Sequence, residues 1–200
     1  MSGEATEGGT GPSAPSSGAG GAFGPTPSQT AGPYLAIGLA PLAAHELVEP
    51  GSPGAVTISG RLLDGEGRGV PDGAIEIWQA DPDGRFPPES APGWTGLGRC
   101  LTDEDGGYRF LTLKPGRLTG PGGEAQAPHL EVLVLARGLL RQVRTRMYFP
   151  DEAEANGRDP LLSAIPDPGR RATLIAAGEG GELHFDIRLQ GPEETVFFAP

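Results

Sequence analysis

From residue 55 onward the chain alternates apolar and polar positions in short runs, each closed by a turn signal. Val56, Ile58, Gly60 and Leu62 alternate with Thr57, Ser59 and Arg61, and D-G-E-G follows at 64–67. Residues 74–80 (A-I-E-I-W-Q-A) alternate again and run into D-P-D-G at 81–84. Residues 98–102 precede D-E-D-G at 103–106, and 108–113 (Y-R-F-L-T-L) run into K-P-G at 114–116. Period two over a few residues marks a strand with one buried face. Turns this frequent between strands this short predict an all-β sandwich or barrel. The second half keeps the pattern. Residues 129–137 are strongly apolar, 143–149 are β-branched and aromatic, and 172–176 with 182–190 are predicted to close the fold as a pair around G-E-G-G at 178–181. Helix is predicted only at 41–48 and 151–156. Segment 84–96 holds three prolines and no periodicity, so it reads as a long loop of the kind that lines sites or interfaces.

Upstream the composition changes. Residues 1–23 are rich in Gly, Ser and Ala and are expected to be a disordered tail, with one domain over 24–200. At the junction stands T-P-S-Q-T-A-G-P-Y, residues 26–34. Pro27 and Pro33 fix φ and lack an N–H, and Gly32 widens the backbone choices. Such a run predicts a stiff, shaped loop lining a site or an interface, or else a plain linker.

Charge and cysteine content narrow the function classes. The formal net charge is −11, which argues against a nucleic-acid partner. Arg137, Arg141, Arg144 and Arg146 form a local basic group, read as a solvated strand face or as partners for the excess acids. Cys100 is the only cysteine, so an internal disulfide is excluded and a reducing, cytoplasmic location is expected. The start of the chain lacks the basic and apolar regions of a secretory leader, and no run approaches the ~20 apolar residues of a membrane span.

Candidate chemistry is sparse. On the strand at 129–137, one face carries Leu130, Val132, Val134 and Ala136, a core face. The other carries His129, Glu131, Leu133, Leu135 and Arg137, polar at both ends. His129-x-Glu131 with His184 as third ligand would make a two-His, one-carboxylate site for a self-sufficient non-haem iron(II) oxygenase. A non-enzymatic interaction module is the other alternative. There is no Cys pair for zinc, no G-x-x-x-x-G-K-[ST] and no G-x-S-x-G.

Further motifs carry a resemblance. E-I-W-Q-A-D at 76–81, K-P-G at 114–116, A-P-H at 127–129, A-R-G at 136–138 and T-R-M-Y-F at 145–149 follow T-P-S-Q-T-A-G-P-Y in order. R-R-A-T-L-I-A at 170–176, F-D-I-R-L-Q-G at 185–191 and E-T-V-F-F at 194–198 complete the set. In order and spacing the chain resembles the intradiol ring-cleavage dioxygenases, and among them the non-iron α chain of the two-chain members. The resemblance implies an immunoglobulin-like or transthyretin-like β-sandwich. It implies an αβ hetero-oligomer in which Fe(III) is held by a homologous β subunit. It further implies intradiol cleavage of a small aromatic substrate, 3,4-dihydroxybenzoate, by O2 to 3-carboxy-cis,cis-muconate.

Iron in that family is held by two tyrosinates and a His-x-His pair. Here the pair reads His129-Leu130-Glu131, Arg117 and Leu118 follow K-P-G where a tyrosine is expected, and 84–96 has no tyrosine. The resemblance therefore implies no catalytic residue and no metal site on this chain. It assigns substrate binding, in the partner's active site, to Thr30, Gly32, Pro33, Tyr34 and Arg137.

Overall fold

The structure is a computed structural model, and it describes residues 26–198. The tail expected over 1–23 lies outside the described residues. Two sheets make up the body. The strands are β1 Ala55–Leu63, β2 Ala74–Trp78, β3 Leu97–Leu101, β4 Gly107–Leu113, β5 Leu118–Thr119, β6 Ala125–Gln126, β7 His129–Leu135, β8 Val143–Tyr148, β9 Ala177–Glu179, β10 Glu182–His184 and β11 Ile187–Arg188. In the first sheet β1 is the spine. It pairs antiparallel with β4 on one side and, on the other, parallel with β10 and then β11. The second sheet has the order β3-β2-β7-β8, antiparallel throughout. β5 and β6 form a separate hairpin.

The predicted alternation accounts for the packing. Leu130, Val132 and Val134 of β7 are buried and face Ile58, Leu62 and Phe110 of the first sheet in one core, joined by Ile75, Ile77, Met147, Phe185 and Ile187. Burying each such side chain is worth about 1.5–3 kcal/mol, so both layers are held by the same apolar contacts. A smaller cluster of Ala127, Tyr148, Ala155, Leu162 and Leu174 lies under the short helices. Gly60 sits where β10 bends into β11. A Cβ there would stand 1.9 Å from the Phe185 carbonyl oxygen, so the close crossing of β1 requires glycine.

Three predicted elements differ in the structure. Helix α1 is Pro33–Leu39, followed by a 3-10 turn at Ala40–Leu42, so the last two residues of the predicted loop at 26–34 open a helix. Pro33 at its start loses no hydrogen bond, because the first N–H of a helix has no partner. Of the stretch predicted as helix at 41–48, only residues 41–42 are helical, in that 3-10 turn; beyond them the chain laces the sheets together, Ala44 pairing with Arg99 of β3 and Glu46 with Leu111 of β4. Residues 172–176 are no strand; the closing hairpin is β9–β10. Three short helices precede it, α2 Ala153–Arg158, α3 Pro160–Ser163 and α4 Pro168–Ala172. Asp159 and Asp167 cap the last two through side-chain bonds to backbone N–H groups. The Asp-Pro dipeptides at 159–160 and 167–168 were the signal for them. Among the described residues no helix is long and apolar enough to cross a membrane.

Candidate functional site

Two regions carry the residues singled out by sequence. The first is a rim at the end of β7. The strand stops at Leu135, Ala136 is buried, and Arg137 leaves the sheet in a turn. Leu139 N–H donates to the Ala136 carbonyl at 3.2 Å, and Gly138 has φ +87°, the left-handed value that the third position of a type II turn needs. Arg137 is exposed and enters no ion pair among the described residues. The Gly138 N–H donates to Thr30 Oγ1 at 2.7 Å. That bond brings the N-terminal T-A-G-P-Y segment against the A-R-G turn, 108 residues away. Gly32 caps α1 in extended geometry, and Tyr34 projects outward, 83% exposed. Thr30, Gly32, Pro33 and Tyr34 thus lie on one segment whose start touches the turn of Arg137.

The second region is the outer face of β7 and β8. His129 opposes Tyr148 and Glu131 opposes Arg146 in register. His129 is buried; its Nδ1 bonds the Ala127 carbonyl at 2.8 Å, and since a carbonyl only accepts, that nitrogen carries a proton. Nε2 lies 3.7 Å from Glu131 Oε1. Glu131 accepts from Arg146 Nε at 2.6 Å, with Arg144 at 3.9 Å on its other oxygen. Burial works to raise the Glu131 carboxyl, but His129 and Arg146 outweigh it and hold the group below its ordinary value. The phenol of Tyr148 donates to Asp159 Oδ1 at 3.1 Å. Burial, with the Asp159 carboxylate adding to it, pushes that phenol well above its ordinary range despite the pull of Arg146.

These groups do not fit a ferric ion. A metal ligand must be deprotonated, and the Tyr148 hydroxyl is engaged as a donor to the buried Asp159 carboxylate. Glu131 is already paired with a guanidinium, which occupies the place of a cation. His184 does not join them: it stands on β10 of the other sheet, exposed, with Nε2 3.0 Å from Asp186. Among the described residues no group of three or more His, Cys, Asp or Glu converges on a metal position. The alternative of an iron(II) site from His129, Glu131 and His184 is therefore corrected, because an amphipathic strand of the opposite sheet carries the third residue away.

Beside this cluster lies a surface cavity of about 290 Å³ lined by Glu76, Trp78, Leu97, Glu131, Leu133 and Arg144. Its two carboxylates are both spent, Glu131 on Arg146 and Glu76 on Arg99 at 2.5 Å. The pairing of Arg146 with Glu131 was only half visible in sequence, as one option for a basic group. The hub at Asp159 was missed; it receives Tyr148 and the N–H groups of Ala127, Leu161 and Leu162.

Comparison with known proteins gives this geometry a family. A family profile described as "Dioxygenase" matches residues 32–191. The chain is 42% identical over 194 residues to the protocatechuate 3,4-dioxygenase alpha chain of Burkholderia cepacia, covering 86% of this chain and 96% of that one. It is 34% identical over 156 residues to the beta chain of the same enzyme from that organism, covering 70% and 66%. Among solved structures it resembles the dioxygenase domain of a dioxygenase carbohydrate-binding protein fusion from Streptomyces sp. SirexAA-E. The TM-score is 0.54 at 26% identity, over 74% of this chain and 88% of that one. Profile, near-full-length likeness and shared fold agree, and the chain belongs to the intradiol ring-cleavage dioxygenase family.

Proposed function

We propose that this chain is the α subunit of a protocatechuate 3,4-dioxygenase, and that it completes a substrate pocket whose Fe(III) is held by a homologous β subunit. The observation that carries the reading is the likeness to α chains over almost their whole length, at 42% against 34% for a β chain. The pairing of Glu131 with Arg146 supports it, since that carboxylate is committed within this chain. The reaction balances without further reductant: 3,4-dihydroxybenzoate takes up both atoms of O2, one ring bond breaks, and 3-carboxy-cis,cis-muconate is formed. Arg137 supplies the cation for the substrate carboxylate, as a planar fork of donors suited to that group. Thr30, Gly32, Pro33 and Tyr34 form the adjoining wall. A single cysteine supports a cytoplasmic setting.

The test is Arg137→Ala in the αβ complex, assayed on 3,4-dihydroxybenzoate and on unsubstituted catechol. Losing a charge-assisted hydrogen bond costs about 1.5–3 kcal/mol, or about 10- to 100-fold in kcat/KM. That loss is expected for the carboxylated substrate, with much less for catechol and an unchanged iron spectrum. An equal loss on both substrates would make Arg137 a structural residue.

A further inference from the structure

The turn at 136–139 leaves one backbone donor unused by its own closure. Leu139 N–H closes the turn on Ala136 O; the N–H between Arg137 and Gly138 points away and is met by Thr30 Oγ1 at 2.7 Å. Glycine takes φ of either sign readily, so nothing in residue 138 itself holds the peptide after Arg137 in the orientation that φ +87° requires. The threonine acceptor does. Thr30 lies two residues before Gly32, the cap of α1, so the same bond ties the turn to the start of that helix. The remaining hydroxyl contact of Thr30, to the Ala31 carbonyl at 3.4 Å, is long and adds little.

We infer that Thr30 is a positioning residue that acts through Gly138 on Arg137, fixing the arginine turn and the T-A-G-P-Y segment as one unit. This rests on the reading of Arg137 as the carboxylate partner. It gives Thr30 a role beyond lining the pocket wall: its oxygen accepts from the backbone of the arginine turn.

The experiment uses the αβ complex with Thr30→Val, which keeps the shape and removes the acceptor, and Thr30→Ser, which keeps the hydroxyl. Hydrogen exchange reads the latch without substrate: the Gly138 amide should exchange faster in Thr30→Val than in wild type. Thr30→Val should lower kcat/KM for 3,4-dihydroxybenzoate about 2- to 10-fold, the worth of one ordinary hydrogen bond, and lower it less for catechol. Thr30→Ser should restore most of the loss. In an Arg137→Ala background, Thr30→Val should add nothing beyond the roughly twofold scatter of independent sites. Faster Gly138 exchange with unchanged substrate preference would overturn the inference, as would a full multiplicative loss in the Arg137→Ala background. If Arg137→Ala is selective and Thr30→Val is not, only the latch fails; if Arg137→Ala itself is unselective, the reading beneath it fails and is seen in that variant alone.

Discussion

At the scale of single residues, the cluster around Glu131 shows how one strand position decides chemistry. A carboxylate beside a buried histidine could hold a metal, but Arg146 on the neighbouring strand neutralises it at 2.6 Å. The pairing makes a stability prediction with a definite sign. The Glu131 carboxyl is held below its ordinary 4.5 in the folded chain. Its contribution is therefore present above that pH and is lost as pH falls through the lower folded value. Glu131→Gln should cost about 1.5–3 kcal/mol at neutral pH, and the gap from wild type should narrow as urea titrations are carried to progressively more acid pH below 4.5. A gap that stays constant to acid would show that the charge of Glu131 plays no part. This pairing was legible only as an option, because sequence gives Arg144 and Arg146 on one strand face without giving the strand that lies opposite.

At the scale of elements, period-two alternation located β1, β2, β3, β4, β7 and β8 closely, because each has one face in the shared core. The closing region was harder to read. Residues 182–190 alternate as one run, yet the chain bends at Phe185 and Asp186, and the run splits into β10 and β11 on the same neighbour. The short helices are held by caps and by one buried hub, and their apolar period is too short to register. Asp159 is that hub: fully buried, it receives Tyr148, Ala127 N–H and the first N–H groups of α3. Asp159→Ala should destabilise the chain by at least about 3 kcal/mol, since several buried donors lose their acceptor at about 1–3 kcal/mol each. The midpoint of urea unfolding measures it. A shift within the scatter of surface substitutions would mean that water replaces the carboxylate without cost.

At the scale of the whole molecule, the sandwich is a scaffold that brings the T-A-G-P-Y segment and the turn of Arg137 together, and among the described residues no metal-ligand set converges. Family membership was legible because many short motifs stand in order, though each is weak alone. The contact between Thr30 and the turn of Arg137 was not, since two segments 108 residues apart meet only through the topology. The central claim is a division of labour: iron on the partner, pocket completion on this chain. The direct measurement is metal content and O2 uptake on 3,4-dihydroxybenzoate for this chain alone, for the homologous chain alone and for the two together. The expected result is a colourless, iron-poor chain here, with stoichiometric iron, tyrosinate-to-iron colour and full turnover only in the complex. Stoichiometric iron bound by this chain alone, and lost on His129→Ala, would contradict it.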